Sequence, residues 1–218
     1  MSPKHFLNFK DFSKEFLNSI IERGLELKSL KNLPKTLENK SLGLIFEKPS
    51  TRTRVSFEIG VQSLGGNSIF LSSSDLQISR GEPVSDTARV LSSMLDAVVI
   101  RTANHELLEI YSQNSSIPVI NGLSNLYHPC QILADLMTYK ECNGDIDISK
   151  VAWIGDSNNV CNSYIEAAEI YCPKGFEPDP EIMNSQKNNV VLTETKEDAL
   201  KEAKIVTTDV WTSMHSEN

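Results

Sequence analysis

The chain predicts an α/β protein of two domains, each a parallel sheet flanked by helices. Three observations carry that expectation. Short apolar runs of strand length alternate with stretches whose apolar residues recur near every 3.6 residues. The resulting β-α-β-α order is that of a parallel sheet covered on both faces. A polar stretch at 141–149 (ECNGDIDIS, with an Asn-Gly turn signal) interrupts the alternation once, so a first domain over 1–140 and a second over 150–218 are expected.

Taken in order, Asp11 to Lys28 carries Phe12, Phe16, Ile20, Ile21 and Leu25 at helical spacing, with Asp11 as the expected N-cap. Ser41–Phe46 (SLGLIF) is a strand. A helix is expected from Thr51, with Val55, Ile59 and Val61 facing inward and Gly65-Gly66 ending it. Ser68–Leu71 reads as a strand, Pro83–Leu95 as a helix, Ala97–Ile100 (AVVI) as a strand, Glu106–Gln113 as a helix and Pro118–Ile120 as a strand. Pro129–Lys140 is a long helix. In the second half, strands are expected at Val151–Ile154, Val190–Leu192 and Ile205–Thr207, and helices at Asn162–Tyr171 and Lys196–Ala203. No strand is expected at Tyr171-Cys172-Pro173, although a parallel βαβ unit needs one after the helix.

Composition excludes several classes. With 21 Lys plus Arg against 29 Asp plus Glu, the net charge is −8 at pH 7. A nucleic-acid binder would need a basic face. Apolar residues at 39% and charged residues at 23% fit a globular core rather than a disordered chain. No run approaches the roughly 18 apolar residues of a membrane span, and the N-terminus has no apolar secretion segment. Cys130, Cys142, Cys161 and Cys172 form neither a CxxC pair nor a metal spacing, so a cytoplasmic protein with reduced thiols is expected.

The strongest chemical signal is Lys48-Pro49-Ser50-Thr51-Arg52-Thr53-Arg54, between a buried strand and a helix start. Its hydroxyls, its arginines and the free N–H groups of the helix end could converge on a phosphate. A Ser-capped helix with solvated arginines is the other reading. Next is His128-Pro129-Cys130-Gln131: Pro129 suits the first turn of a helix, and His128 and Gln131 are three apart. They could orient a planar amide, but locally a capping His and a solvated Gln account for them better. Arg101 directly follows a strand, at the end where α/β sheets bind ligands; pairing with a nearby acid would account for it equally well. Asp156, Asn158 and Asn159 follow the strand VAWI, and Asp209, Ser213 and Met214 follow IVT. An Asp there could hold an ammonium group, or both loops could be turn chemistry. No Ser/Cys–His–acid set, Walker A or GxGxxG motif is present, so no nucleotide cofactor is expected.

Together these motifs resemble the aspartate/ornithine carbamoyltransferase family, with its ornithine-using members the nearer match. The matching segments are FEKPSTRTRVSFE, LQISRGEPVSDTARVL, VVIRT, PVINGLSNLYHPCQILADLMT, VAWIGDSNNVCNS and TDVWTSM, in the family's order. The resemblance implies a carbamoyl-phosphate-binding first domain, an ornithine-binding second domain, an active site in the cleft between them, and a trimer. By motif match, Ser50, Thr51, Arg52 and Thr53 would bind the phosphate of carbamoyl phosphate. Arg101, His128 and Gln131 would hold its carbamoyl group, and Gln77 would reach a neighbouring subunit's site. Asn159, Asp209, Ser213 and Met214 would contact L-ornithine, with Asp209 on its α-ammonium. Arg101, His128 and Thr53 would be catalytic. Carbamoyl transfer to the δ-amine of ornithine, giving citrulline, needs no metal and no cofactor.

Aspartate-using members share the phosphate loop but would supply a Lys where this chain reads SRGEP. They would also supply arginines for a dicarboxylate where this chain has Asn159 and Asp209. The family's His-Cys-Leu-Pro loop, a later Arg and a C-terminal helix have no counterpart among these residues, and its Gly after Ser-Met is His215 here. An incomplete ornithine pocket is therefore expected of these residues. A non-catalytic carbamoyl-phosphate-binding module, or transfer to another amine, would be the alternatives.

Overall fold

A computed structural model describes residues 4–209 apart from 73, 75 and 147. Chain contacts divide it into two compact units. The first holds the described residues up to Leu7 together with Glu26–Ser124; the second holds Asn8–Leu25 and the described residues from Asn125 on. The division falls ahead of the Pro129–Asn143 helix, whereas the polar stretch at 141–149 follows it.

In the first unit, strands β1 (Ser41–Phe46), β2 (Asn67–Ser72), β3 (Ala97–Arg101) and β4 (Val119–Leu123) form one sheet in the order β2-β1-β3-β4. All pairs are parallel, with Phe46 opposite both Ser72 and Arg101. Side-chain alternation along the strands explains its two-sided core. Leu42, Leu44 and Phe46 of β1 and Val99 of β3 face helix α2 (Thr51–Ser63) through Val61 and Phe57. Ile45, Val98 and Ile100 face the other way, onto Ala88 of α3 (Val84–Ser92) and Leu108 and Tyr111 of α4 (His105–Asn114). Burying each such side chain contributes about 1.5–3 kcal/mol. Gly43 of β1 has no room for a side chain, since a Cβ there would lie 2.6 Å from Leu95 Cδ1.

Helix α2 corrects the sequence reading on one point. Val61 is buried, but Val55 and Ile59 are 50% and 54% exposed. The inward stripe is Phe57 and Val61, one turn apart. Val55 and Ile59 each sit two residues earlier, about 200° around the helix. The expected stop at Gly65-Gly66 holds. Gly65 at φ 90 donates to Gln62 O, and Gly66 donates to Val61 O at 2.9 Å, closing the helix end with a left-handed residue.

In the second unit, β5 (Val151–Trp153), β6 (Ile170–Pro173), β7 (Val190–Thr193) and β8 (Ile205–Thr207) form a parallel sheet in the order β7-β6-β5-β8. Helix α5 (Pro129–Asn143) packs with α6 (Asn159–Ala167), and α7 (Pro180–Ser185) and α8 (Lys196–Leu200) complete the unit. Trp153, Ile165 and Ile170 are fully buried there. The strand expected to be missing is present. Helix α6 stops at Ala167, Ala168 is extended at φ −153 and ψ 169, and β6 starts two residues later. Both flanking strands give it backbone partners, and these outweigh the lack of a breaker between helix and strand.

Helix α1 (Lys14–Ser29) also departs from expectation at its start. Ser13 Oγ accepts from Phe16 N at 3.3 Å, so Ser13 is the cap, while Asp11 N donates to Asn8 Oδ1. None of the four cysteines is in a disulfide. Among the described residues, no helix is long and apolar enough to cross a membrane.

Candidate functional site

The order β2-β1-β3-β4 reverses direction between β1 and β3, and open α/β sheets bind ligands beyond the strand ends at such a point. Two site segments of the first unit meet there. Glu47 N continues the β1 ladder by donating to Arg101 O at 3.0 Å, and Glu47 Oε2 accepts from Ala103 N at 2.7 Å. This fixes the turn that delivers Lys48–Ser50 to the start of α2. Ser50 has the extended backbone of an N-cap (φ −150, ψ 109), yet no side chain caps the helix and no acid sits in its first turn. The hydroxyl-capped reading of this motif therefore fails. The helix end keeps its unpaired N–H donors and partial positive charge, which is what an anion requires.

Arg101 Nη1 donates to Thr53 Oγ1 at 3.1 Å, joining the end of β3 to the first turn of α2. Arg101 is half-buried, and burial lowers its pKa, with the nearby Arg52 charge adding to the effect. Among the described residues no carboxylate pairs with either arginine. Two cations and an uncapped helix end without a counter-charge form a site tuned for an anion. Arg54, by contrast, has an acid partner. Its Nε pairs with Glu58 Oε1 at 3.0 Å, and its guanidinium lies 3.7 Å over the Phe70 ring. A cavity of about 630 Å³ opens on that side, lined by Lys48, Ser50, Thr51, Arg54 and Phe70 among others. Gln77 starts a short 3-10 turn, Gln77–Arg80, beyond the edge strand β2 and is exposed.

The second unit carries the remaining candidates in two places. His128 is the N-terminal residue before α5, with Pro129 in the first turn as expected. Its backbone N–H donates to Ser163 Oγ at 2.7 Å, and Ser163 in turn donates to Asn159 O at 2.8 Å. Gln131 is exposed, and its Nε2 donates to Asp135 Oδ1 at 2.8 Å. The other Asp135 oxygen accepts from Tyr164 Oη at 2.8 Å. Between them, burial pushes the Cys130 thiol up to about 12, which disfavours its thiolate.

The sheet order β7-β6-β5-β8 places the loops after β5 and β8 side by side. Asn158 Oδ1 caps α6 by accepting from Val160 N and Cys161 N, and its Nδ2 donates to Asp209 Oδ2 at 2.6 Å. Asp209 is thus brought to the helix mouth by Asn158, while Asn159 opens the helix proper. Ser213 and Met214 lie outside the described residues. Asn158 lies in the loop after VAWI that the sequence marks as a candidate, whereas no local signal points to Ser163, Asp135 or Tyr164. Among the described residues, no group of three or more His, Cys, Asp or Glu could hold a metal ion.

Comparison with known proteins agrees with these features. Residues 4–141 match the carbamoyl-P binding domain of aspartate/ornithine carbamoyltransferases, and residues 147–218 match the Asp/Orn binding domain of the same family. The ornithine carbamoyltransferase of Acinetobacter baumannii is 51% identical over 227 residues, covering 100% of this chain and 74% of that protein. The anabolic ornithine carbamoyltransferase of Pseudomonas aeruginosa is 49% identical over 228 residues, covering 100% and 75%. Among solved structures, the anabolic ornithine carbamoyltransferase of Campylobacter jejuni superposes with a TM-score of 0.87 at 45% identity, covering 97% of this chain and 74% of that one. The Pyrococcus furiosus enzyme gives a TM-score of 0.87 at 39% identity, covering 98% and 74%.

Proposed function

Because this chain belongs to the aspartate/ornithine carbamoyltransferase family, we propose that it transfers the carbamoyl group of carbamoyl phosphate to the δ-amine of L-ornithine. The products are L-citrulline and phosphate, and the role is arginine biosynthesis. The single observation that carries this reading is the Arg101–Thr53 hydrogen bond, which joins an arginine to an open helix end beside Arg52, with no carboxylate paired to either arginine among the described residues. The names of the relatives, two of them anabolic ornithine enzymes, support the substrate and direction.

Ser50, Thr51, Arg52 and Thr53 hold the phosphate at the mouth of α2. Arg101, His128 and Thr53 face the carbamoyl oxygen, and Gln131 faces the carbamoyl nitrogen. The neutral δ-amine attacks the carbamoyl carbon, and negative charge grows on that oxygen. Each donor aimed at it lowers the barrier by about 2.7–4 kcal/mol. The C–O bond to phosphate then breaks, the proton lost by the attacking amine passes to the departing phosphate, and the phosphate leaves with its charge met by Arg52 and the helix end. Holding the two reactants in line supplies much of the remaining acceleration. Asp209, Asn159, Ser213 and Met214 form the ornithine side, and an acid there favours an amine-bearing substrate over a dicarboxylate. Residues 1–140 serve as the carbamoyl-phosphate domain and 150–218 as the ornithine domain.

The working form is a cytoplasmic homotrimer in which Gln77 reaches the neighbouring subunit's site. Exposure of Gln77 supports it, and Val55, Ile59 and Ile69 leave apolar side chains on the surface for a neighbour to cover. The test is steady-state phosphate release from carbamoyl phosphate with light scattering on the same sample. Release that depends on ornithine, by a species of three times the chain mass, is expected. Release without ornithine dependence refutes the transfer, and a monomer refutes the trimer.

A further inference from the structure

A side-chain amide can present either its carbonyl or its NH2 to a ligand, and Gln131 of α5 has that choice removed. Its Nε2 lies 2.8 Å from Asp135 Oδ1, one helical turn on. The second Asp135 oxygen is met at 2.8 Å by the hydroxyl of Tyr164, from α6. An ionised carboxylate can only accept hydrogen bonds. Tyr164 is 2% exposed, and burial, followed by the Asp135 charge, raises its phenol, so it stays protonated and donates. Reversing the Gln131 amide would set its carbonyl oxygen against a carboxylate oxygen and lose a charge-assisted hydrogen bond.

We propose that Asp135, anchored by Tyr164, is a positioning residue that locks Gln131 with its carbonyl oxygen outward. The site thereby selects a phosphorylated substrate whose acyl end carries an N–H donor, and rejects the isosteric acyl phosphate that lacks one. This rests on the functional reading above, in which Gln131 meets the carbamoyl nitrogen. A donor-seeking carbonyl left unpaired against a methyl group discriminates where mere shape would not.

The test measures binding of carbamoyl phosphate, acetyl phosphate and inorganic phosphate to the whole protein by calorimetry, in wild type and in Asp135→Asn. An asparagine offers an NH2 of its own, so Gln131 can then turn. The expected result is a preference for carbamoyl over acetyl phosphate that falls about three- to thirty-fold in D135N, with inorganic phosphate binding unchanged within about twofold, since phosphate reads only the α2 mouth. If D135N does not fold, Tyr164→Phe carries the test. It loosens the same carboxylate and should lower the preference about threefold. A preference retained in the variant that folds, or all three ligands weakened alike, overturns the proposal alone. A wild type that holds all three ligands equally overturns the functional reading and the proposal with it.

Discussion

Replacing Arg101 with methionine should separate catalysis from stability. Arg101 is half-buried, its charge is disfavoured by burial and by Arg52, and its one described side-chain partner is a neutral hydroxyl, Thr53 Oγ1. Methionine keeps much of the packed stem and removes the charge. The lost hydrogen bond is worth about 1.5–3 kcal/mol. The gain from ending the desolvation and the cation–cation repulsion offsets it, leaving a net change near zero, within about 1 kcal/mol. For a chain of this size that is a shift in Tm of about 2–4 °C or less. Activity has no such offset. An oxyanion donor lost from the transition state costs about 2.7–4 kcal/mol, a fall of roughly 10²–10³ in kcat. Citrulline formation read alongside thermal melting decides the matter. A kcat reduced less than tenfold, or a melting temperature that drops steeply in step with activity, would refute the reasoning and make Arg101 a structural residue.

Ser163→Ala removes the acceptor for the His128 backbone N–H, and Ser163 is fully buried. The fall should be about 1–2 kcal/mol in stability, with a several-fold loss of kcat and little change in the KM for ornithine. Gly43→Ala would force a Cβ to within 2.6 Å of Leu95 Cδ1 in a buried sheet, so the guanidinium midpoint should drop by the equivalent of about 1–3 kcal/mol with activity per folded molecule retained. Glu166 accepts from Phe9 N at 2.8 Å, but burial raises its pKa, with Lys10 and Tyr127 acting against that. A carboxyl raised on folding costs stability once pH climbs through its ordinary range to the folded value, and the cost vanishes below that range. Glu166→Gln should therefore melt higher than wild type at neutral pH, with the difference shrinking as pH falls through the carboxylate range. A difference that grows on acidification would reverse the sign of the argument.

Much of this architecture is legible in the residues, and the misses have physical causes. SLGLIF and AVVI declare buried strands because an apolar run bounded by turns has few other uses, and Gly65-Gly66 declares a helix end because left-handed backbone favours glycine. Strand β6 is hidden because α6 runs into it with no Gly or Pro between Ala167 and Ile170, and only pairing with two distant strands reveals it. Val55 and Ile59 mislead because an apolar residue on a helix can serve the core or an outward face, and sequence does not say which. At the site, Ser50–Thr53 and His128–Gln131 announce themselves as contiguous motifs. Arg54 pairs with Glu58 one helical turn on, a spacing the sequence shows, but its place over Phe70 depends on a neighbouring strand. Tyr164 reaches Asp135 from 29 residues away, a pairing that no local spacing encodes.

The most direct test offers the purified whole protein carbamoyl phosphate with ornithine, aspartate and putrescine together and identifies the carbamoylated product by mass spectrometry. Citrulline as the dominant product, lost when Arg52 and Arg101 are both replaced by methionine, is the result this account predicts. N-carbamoylaspartate or N-carbamoylputrescine in its place, or citrulline formed undiminished by the doubly substituted protein, would contradict it.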